Sequence, residues 1–265
     1  MSTVFPPPQP SRHGKRGKLP PKPHRCNLPF EKYLGVDLPK PSPVRAWEYV
    51  IRDDAWGMLG NDTIGNCTVV SKAHILMAVT ANTYGIGGII IPTLDEVISL
   101  YSAITGYDPK TGANDNGAAM TDVNDYLLKN GLAGRKLLGW VKIDHTSRVH
   151  FEQCVELFGA CDTGVLLPDS AERQFDAGQN WDLVSPPDPG QDGHDVPYLG
   201  YGRQGETCIT WARRQPCGIS WFTQYADEGY GLIWEDWFDT HTGISPSHFD
   251  RDQLWEDLQA LKANV

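Results

Sequence analysis

The sequence has no long hydrophobic run and few cysteines, and each shortage excludes a class of protein. No stretch approaches the ~18 uninterrupted apolar residues of a membrane-spanning helix, so no membrane association is expected. The first eight residues lack the apolar core of a secretory signal, which favours a cytoplasmic or virion protein over export by that route. Six cysteines in 265 residues are too sparse for a disulfide scaffold, so mostly free thiols are expected, with Cys208 and Cys217 as the one local pair to check.

Charge divides the chain into two parts. Residues 1–42 contain eight Lys/Arg, two Asp/Glu and ten of the 20 prolines, whereas the remainder contains 15 Lys/Arg and 31 Asp/Glu. A basic, proline-rich segment of this kind cannot bury enough apolar surface to fold alone, so residues 1–42 are predicted to form an extended arm. Three interpretations stay open for this arm: a disordered tail, a contact that builds a homo- or hetero-oligomer, and, more weakly, a nucleic-acid patch.

The body is predicted to have a helical half followed by a strand-rich half. The run from Cys67 to Tyr84 is apolar on nearly every face, which is typical of a fully buried helix. Further helices are expected after the capping-box residues 93–96, over 120–130 and over 149–158. Strands are expected at 136–141, 163–167, 194–202, 208–211 and 230–233, with a Gly/Pro/Asp-rich loop at 176–193. This order predicts an α+β fold with a cleft between its halves.

The last part of the chain, residues 234–265, is predicted to be an extension that carries a short amphipathic helix. Apolar residues at helical spacing place that helix at about 251–262. Packing on its own domain and binding to a partner are both compatible with the pattern.

A cysteine and a histidine are the strongest functional signal in the sequence. Cys67 opens the buried helix, where the positive end of the helix dipole favours a thiolate. His194 lies 127 positions later and opens a strand. A thiol at a helix start and an imidazole from a distant strand are what a nucleophile and its acid–base partner require.

The residues before Cys67 carry a resemblance to a known family. Papain-like cysteine peptidases have an oxyanion-stabilising Gln six residues before the nucleophile and a Gly two residues before it. This chain has Asn61 and Gly65 at those offsets. Asn61 keeps an amide donor but is one methylene shorter.

The residues after His194 extend the resemblance. The family has Gly-Tyr-Gly six to eight residues after its histidine, and residues 200–202 are Gly-Tyr-Gly here. Trp211 matches the tryptophan of the family's Asn-Ser-Trp-Gly strand. The match covers residues 43–233 and implies a papain-like α+β domain.

One position departs from the family pattern. The alignment on Trp211 puts Ile209 where the family has the Asn that orients the imidazole, so Thr210 or a backbone carbonyl would have to hold the ring. Altering the orienting residue of a serine triad costs about 10⁴ in rate, and losing one oxyanion donor costs about 10² to 10³. Reduced or lost activity is therefore part of the prediction.

The resemblance implies a cysteine hydrolase acting on peptide or related acyl bonds, with no metal or organic cofactor. Cys67 would attack, His194 would act as base and acid, Asn61 would bind the oxyanion, and Trp211 would shield the histidine. The substrate would be a peptide or protein. A papain-type inhibitory propeptide is not expected, because the arm has no amphipathic helix. One alternative is acyl transfer or amide hydrolysis on a non-peptide substrate with the same residues. The other is a non-catalytic structural protein, such as a phage-like particle component, assembled through residues 1–42.

Overall fold

The structure, a computed structural model, describes residues 13–23, 40–254 and 256. It confirms the predicted α+β class, with helices from the first half packed on an antiparallel sheet from the second. The helices are α1 Cys67–Tyr84, α2 Leu94–Thr105, α3 Met120–Asn130, α4 Arg148–Phe158, α5 Asp169–Asp176 and α6 Ile219–Tyr225. The strands are β1 Arg45–Ala46, β2 Leu137–Lys142, β3 Cys161–Leu167, β4 Asp192–Gly202, β5 Gly205–Thr210, β6 Arg213–Gly218 and β7 Ala226–Trp234.

Helix α1 is the centre of the fold. All of its residues from Cys67 to Ala81 are buried, including the charged Lys72. The helix packs on β4, and Cys67 in its first turn lines a cavity together with His194 near the start of that strand. A helix that is buried all round needs an apolar sequence on every face, and this is the pattern that the sequence shows.

Helix α2 begins, and helix α3 ends, at the residue that its sequence signal indicates. Thr93 caps α2 with both bonds of a capping box: its hydroxyl accepts from the Glu96 N–H, and the Glu96 carboxylate accepts from the Thr93 N–H. Helix α3 is followed by Gly131 at a φ of 76°, a conformation that glycine adopts without strain.

The sheet has the order β2-β7-β3-β4-β5-β6, and the short β1 pairs with β4. All of these pairings are antiparallel. Strand β4 is flanked by β3 and β5, and His194 lies near its start, opposite Val165 of β3. The pairing with β3 holds the histidine backbone, whereas the pairing of β4 with β5 begins at Tyr198.

Four of the labelled helices and strands have no counterpart in the sequence predictions, and the shortest of them is the two-residue β1. Strand β6 is polar and contains Pro216, and helix α6 has only seven residues. Helix α5 lies just before the predicted loop and is also short and polar. Segments that are this short or this polar give a weak periodic signal, so their structure depends on the neighbouring strands and helices.

The C-terminal extension packs on the body as far as it is described. Trp237, in a 3₁₀ turn, donates its indole N–H to the Leu157 carbonyl at 2.7 Å. The predicted helix starts with residues 251–254, where Leu254 is buried, and most of its remainder lies outside the described residues. None of the described helices has the length and apolar character needed to cross a lipid bilayer.

The described cysteines are free thiols. Cys208 and Cys217 lie on the neighbouring strands β5 and β6 and do not form a disulfide. Cys26 lies outside the described residues.

Candidate active site

Cys67 is the first residue of α1 and is 1% exposed. Burial, followed by the negative charge of Asp195, raises the pKa of its thiol to about 12. Backbone hydrogen bonds from Asp195 and Gly17 lower the pKa only in part. In this arrangement burial keeps the thiol protonated at neutral pH, contrary to the thiolate expected from the sequence.

His194 is held by one hydrogen bond and one ring contact. Its Nε2 lies 2.8 Å from the Thr210 hydroxyl, and its ring stacks on Trp211 with centroids 4.9 Å apart. Its Nδ1 is buried and has no hydrogen-bond partner. With Nε2–H donating to Thr210, Nδ1 carries the lone pair that a general base requires.

The pKa of His194 is also displaced. Burial, and then the positive charge of Arg16, lowers the pKa of the ring from 6.5 to about 3. Cys67 and His194 are thus both neutral near pH 7. A thiolate–imidazolium pair is disfavoured as long as both groups remain excluded from solvent.

The residue that contacts the imidazole is Thr210 rather than residue 209. Ile209 is buried in the core beside it. Trp211 and Ala212 form the two-residue turn between β5 and β6, with φ values of 45° and 65°. This left-handed turn is unusual for a tryptophan, and it places the indole over the His194 ring.

One small cavity joins the candidate residues. Cys67, His194, Asn61, Thr210 and Trp211 all line it, and its volume is about 10 Å³. A cavity of this size holds about one water molecule. The residues that the sequence placed in one site therefore meet, but they leave no room for a substrate.

The described part of the arm fills the cleft. Lys18 N–H donates to the Gly193 carbonyl at 3.0 Å, next to His194. On the opposite wall, Ala118 N–H donates to the Gly17 carbonyl at 2.9 Å, and Leu19 N–H donates to the Ala118 carbonyl at 3.0 Å. Residues 13–23 thus run extended between the helical half and the sheet half of their own chain.

The arm also occupies the amide that we expected to bind an oxyanion. The Asn61 side chain donates from Nδ2 to the Lys15 carbonyl at 2.9 Å and to the Ile64 carbonyl at 3.1 Å. Lys15 N–H in turn donates to the Asn61 carbonyl at 2.7 Å. A substrate oxygen would have to displace Lys15 to reach this donor.

Gly65 matters through its contact with the arm. A methyl group at position 17 would overlap the Gly65 carbonyl, so the two glycines allow the closest approach of the two backbones. Gly65 N–H donates to the Asp115 carboxylate at 2.8 Å, which fixes this wall of the cleft.

Sequence reasoning missed a buried ionic cluster one turn beyond Cys67. The Lys72 ammonium lies 2.6 Å from Asp162 and also contacts Asp195, and all three side chains are fully buried. Ser71 donates to Asp162 at 2.5 Å. The signal was a single lysine in an otherwise apolar helix, which indicates a paired charge in the core.

Within residues 13–23 and 40–254, His, Cys, Asp and Glu side chains do not gather in a group of three suited to a metal ion.

Solved structures share this fold. Xylellain, a cysteine protease from Xylella fastidiosa, matches 87% of this chain and 99% of its own, with 13% identity and a TM-score of 0.58. Digestive procathepsin L 3 of Tenebrio molitor matches 84% of this chain and 76% of its own, with 11% identity and a TM-score of 0.53. The proform of the ragweed pollen cysteine protease Amb a 11 matches 76% of this chain and 67% of its own, with 13% identity and a TM-score of 0.54.

The likeness is one of fold. No family model matches the sequence, and no curated protein matches it. The chain has the fold of the papain-like cysteine proteases, with a divergent sequence.

Proposed function

We propose that the protein is a papain-like cysteine hydrolase of peptide or related acyl bonds, in a latent form closed by its own residues 13–19. The observation that carries the proposal is the Cys67–His194 cavity: Thr210 holds His194 Nε2, and Nδ1 is left without a partner. Most buried polar atoms in protein cores have a hydrogen-bond partner, so the free Nδ1 beside Cys67 favours a catalytic role over a structural one.

The residues present suffice for a complete acyl-transfer cycle. His194 Nδ1 takes the thiol proton as the Cys67 sulfur bonds to the substrate carbonyl carbon. Asn61 Nδ2 and the Cys67 backbone N–H stabilise the resulting oxyanion. The imidazolium then protonates the leaving amine as its bond to carbon breaks, and water hydrolyses the thioester with His194 again as base.

Latency follows from the same contacts. With the arm in the cleft the site is buried, and burial raises the pKa of Cys67 to about 12 and lowers that of His194 to about 3. We attribute part of this burial to the arm, whose Gly17 contacts Gly65 beside the site. It also occupies the Asn61 donor through the Lys15 carbonyl. We therefore attribute the expected low activity to the arm that covers the site, and not to the absence of an orienting Asn at position 209.

A thiol-labelling experiment tests the proposal on the full-length chain. Gly17→Ala should displace the arm by overlap with the Gly65 carbonyl, while Gly87→Ala adds the same methyl group at an exposed position with open space around it. Iodoacetamide modification of Cys67, located by mass spectrometry, should be faster in Gly17→Ala than in Gly87→Ala or the parent. Casein cleavage should appear in Gly17→Ala and be lost in Gly17→Ala/Cys67→Ala. Rapid labelling without cleavage of any peptide, ester or amide tested would count against a hydrolase.

The second candidate is a structural or interaction protein on the same fold, assembled through residues 1–42. The closed cleft and the raised pKa of Cys67 favour it. Sedimentation at low and high salt separates the two functions, because exposed charge pairs are screened over about 8 Å at physiological ionic strength. Salt-sensitive oligomers of the parent, lost on mutation of the arm lysines, would support assembly.

A further inference from the structure

The basic side chains of residues 13–23 all meet carboxylates of the body. Arg16 lies 2.7 Å from Glu172, and Lys18 lies 2.9 Å from both Asp227 and Glu228. The remaining pairs are His13–Asp176 at 3.0 Å, Lys15–Asp115 at 3.1 Å and Lys22–Asp122 at 2.5 Å. The cleft is therefore lined with negative charge that a cationic strand neutralises at each basic position.

The Lys18 site is a built pocket rather than a surface pairing. The Lys18 side chain is fully buried, and the Glu228 side chain is 2% exposed. Tyr230 donates its hydroxyl to Glu228 at 2.7 Å, which fixes the carboxylate towards the ammonium. Once the arm leaves, Asp227 and Glu228 would be two adjacent carboxylates without a cation, an arrangement that favours an incoming lysine.

The Arg16 site is the second anchor. Its guanidinium is mostly buried and reaches Glu172, with Asp192 at 3.4 Å and Asp169 at 3.9 Å. Arginine offers several donors in a fixed fork, which suits three carboxylates grouped around one head group. Both anchors lie next to the Cys67–His194 cavity, because Gly17 between them contacts Gly65 and hydrogen-bonds Cys67.

The backbone contacts do not select one peptide sequence over another, whereas the side-chain contacts do. The bonds to Ala118, Gly193 and Asn61 use main-chain groups, apart from the Asn61 amide, and any extended peptide offers their partners. Position 17 accepts only glycine, because a methyl group would overlap the Gly65 carbonyl. The selective elements are thus a basic residue on each side of a glycine.

We propose that the open cleft binds strongly basic peptide segments of the form Lys-Arg-Gly-Lys, so that a basic, glycine-containing segment of another protein is the substrate. The substrate role rests on the proposed function, while the binding does not require catalysis. The arm is the chain's own occupant of this site, with the same chemistry. The body supports such binding at long range as well, since the chain beyond residue 42 has 31 acidic and 15 Lys/Arg residues.

The test measures binding in a full-length chain that cannot react. In Gly17→Ala/Cys67→Ala, trypsin cleavage after Lys15 or Arg16 first establishes that the arm has left the cleft. If these bonds stay resistant, Lys18→Ala is added, which removes the buried anchor and keeps both trypsin sites. Fluorescence anisotropy then measures the binding of three labelled peptides. The first has the sequence of residues 13–22, the second has Gln in place of every Lys and Arg, and the third has Ala in place of Gly17.

The first peptide should bind at least about tenfold more tightly than either of the others, because truncating one partner of a buried charge pair costs well over tenfold in affinity. Its binding should weaken with added NaCl. Glu228→Gln and Glu172→Gln in the body should each weaken it, while the exposed control Glu235→Gln should not.

Equal binding of the basic and Gln peptides, or no effect of the Glu228 and Glu172 substitutions, would overturn the proposal. Labelling of Cys67 in Gly17→Ala reports on the proposed function separately. Basic-peptide binding with an unreactive Cys67 would retain the binding site and reject the hydrolase, and a reactive Cys67 without charge selectivity would do the reverse.

Discussion

Lys18 and Lys72 are both fully buried, and each lies between two carboxylates, yet they belong to different kinds of structure. Lys72 is in the central helix and joins it to β3 and β4 through Asp162 and Asp195. Lys18 is in an extended segment that rests on the body. The burial of Lys72 can be lost only by unfolding, whereas Lys18 can leave with its segment while the body stays folded. The same kind of ion pair therefore stabilises the folded core at Lys72, whereas at Lys18 it holds a segment that can dissociate from the body.

The largest effect is expected from Lys72→Met. Removing the ammonium leaves Asp162 and Asp195 buried without a cation, which should lower the free energy of unfolding by about 3–5 kcal/mol. Chemical denaturation measures it, with Lys110→Met, at an exposed position, as the control. An unchanged midpoint would mean that the two carboxylates are neutral or solvated in the folded protein.

Thr210→Val tests the part of the site that belongs to the folded body, because it keeps the shape of the side chain and removes the hydroxyl that contacts His194. His194 Nε2 would then be buried without its partner, and we expect a loss of about 1–3 kcal/mol in stability. In the Gly17→Ala background, Cys67 alkylation should also fall, because the ring loses its orientation. Thr210→Ser, which keeps the hydroxyl, should restore the reactivity; failure to do so would remove Thr210 as the orienting group.

Lys18→Met should change the free energy of unfolding by less than about 1 kcal/mol, because Glu228 regains water when the arm leaves. Alkylation of Cys67 should nevertheless rise about tenfold, since each unit by which the pKa of the thiol falls gives ten times more thiolate at neutral pH. Lys142→Met, on exposed β2 surface, is the control. A large loss of stability with no gain in Cys67 alkylation would mean that the Lys18 ion pairs stabilise the fold, as those of Lys72 do.

The dependence of alkylation on pH sharpens the comparison without disturbing the fold. The thiolate forms above the thiol pKa, so the parent should react slowly until the pH approaches the value of about 12 that burial imposes on Cys67. In Gly17→Ala, water re-enters, and the profile should move down towards or below the ordinary pKa of about 8.5. Superimposable profiles would mean that the arm is not what raises the pKa.

Ile209→Asn tests whether residue 209, as the sequence alignment suggests, or Thr210, as the structure has it, orients the imidazole. Because Thr210 already contacts the ring and Ile209 is buried, the new amide should harm packing and leave the reactivity of Cys67 unimproved. A faster-reacting Cys67 in this variant would show that position 209 reaches the imidazole after all.

The sequence determined those features that depend on local pattern or on fixed spacing. The apolar run from Cys67 predicts a buried helix because burial on all sides requires apolar residues on all faces. The capping box at Thr93 and Glu96 sets a helix start through bonds within four residues. The offsets of Asn61, Cys67 and His194 predict one site, and these residues line one cavity.

Only the tertiary structure decided how those residues are used. Thr210 rather than residue 209 contacts His194, because the hairpin turn at Trp211 sets which strand side chain reaches the ring. The arm pairs with carboxylates more than 90 positions away, as in Lys15–Asp115 and Lys18–Asp227, and no local pattern contains such distances. Chemical types and spacings along the chain are written in the sequence, whereas burial, and with it the protonation of Cys67 and His194, exists only when distant segments close over each other.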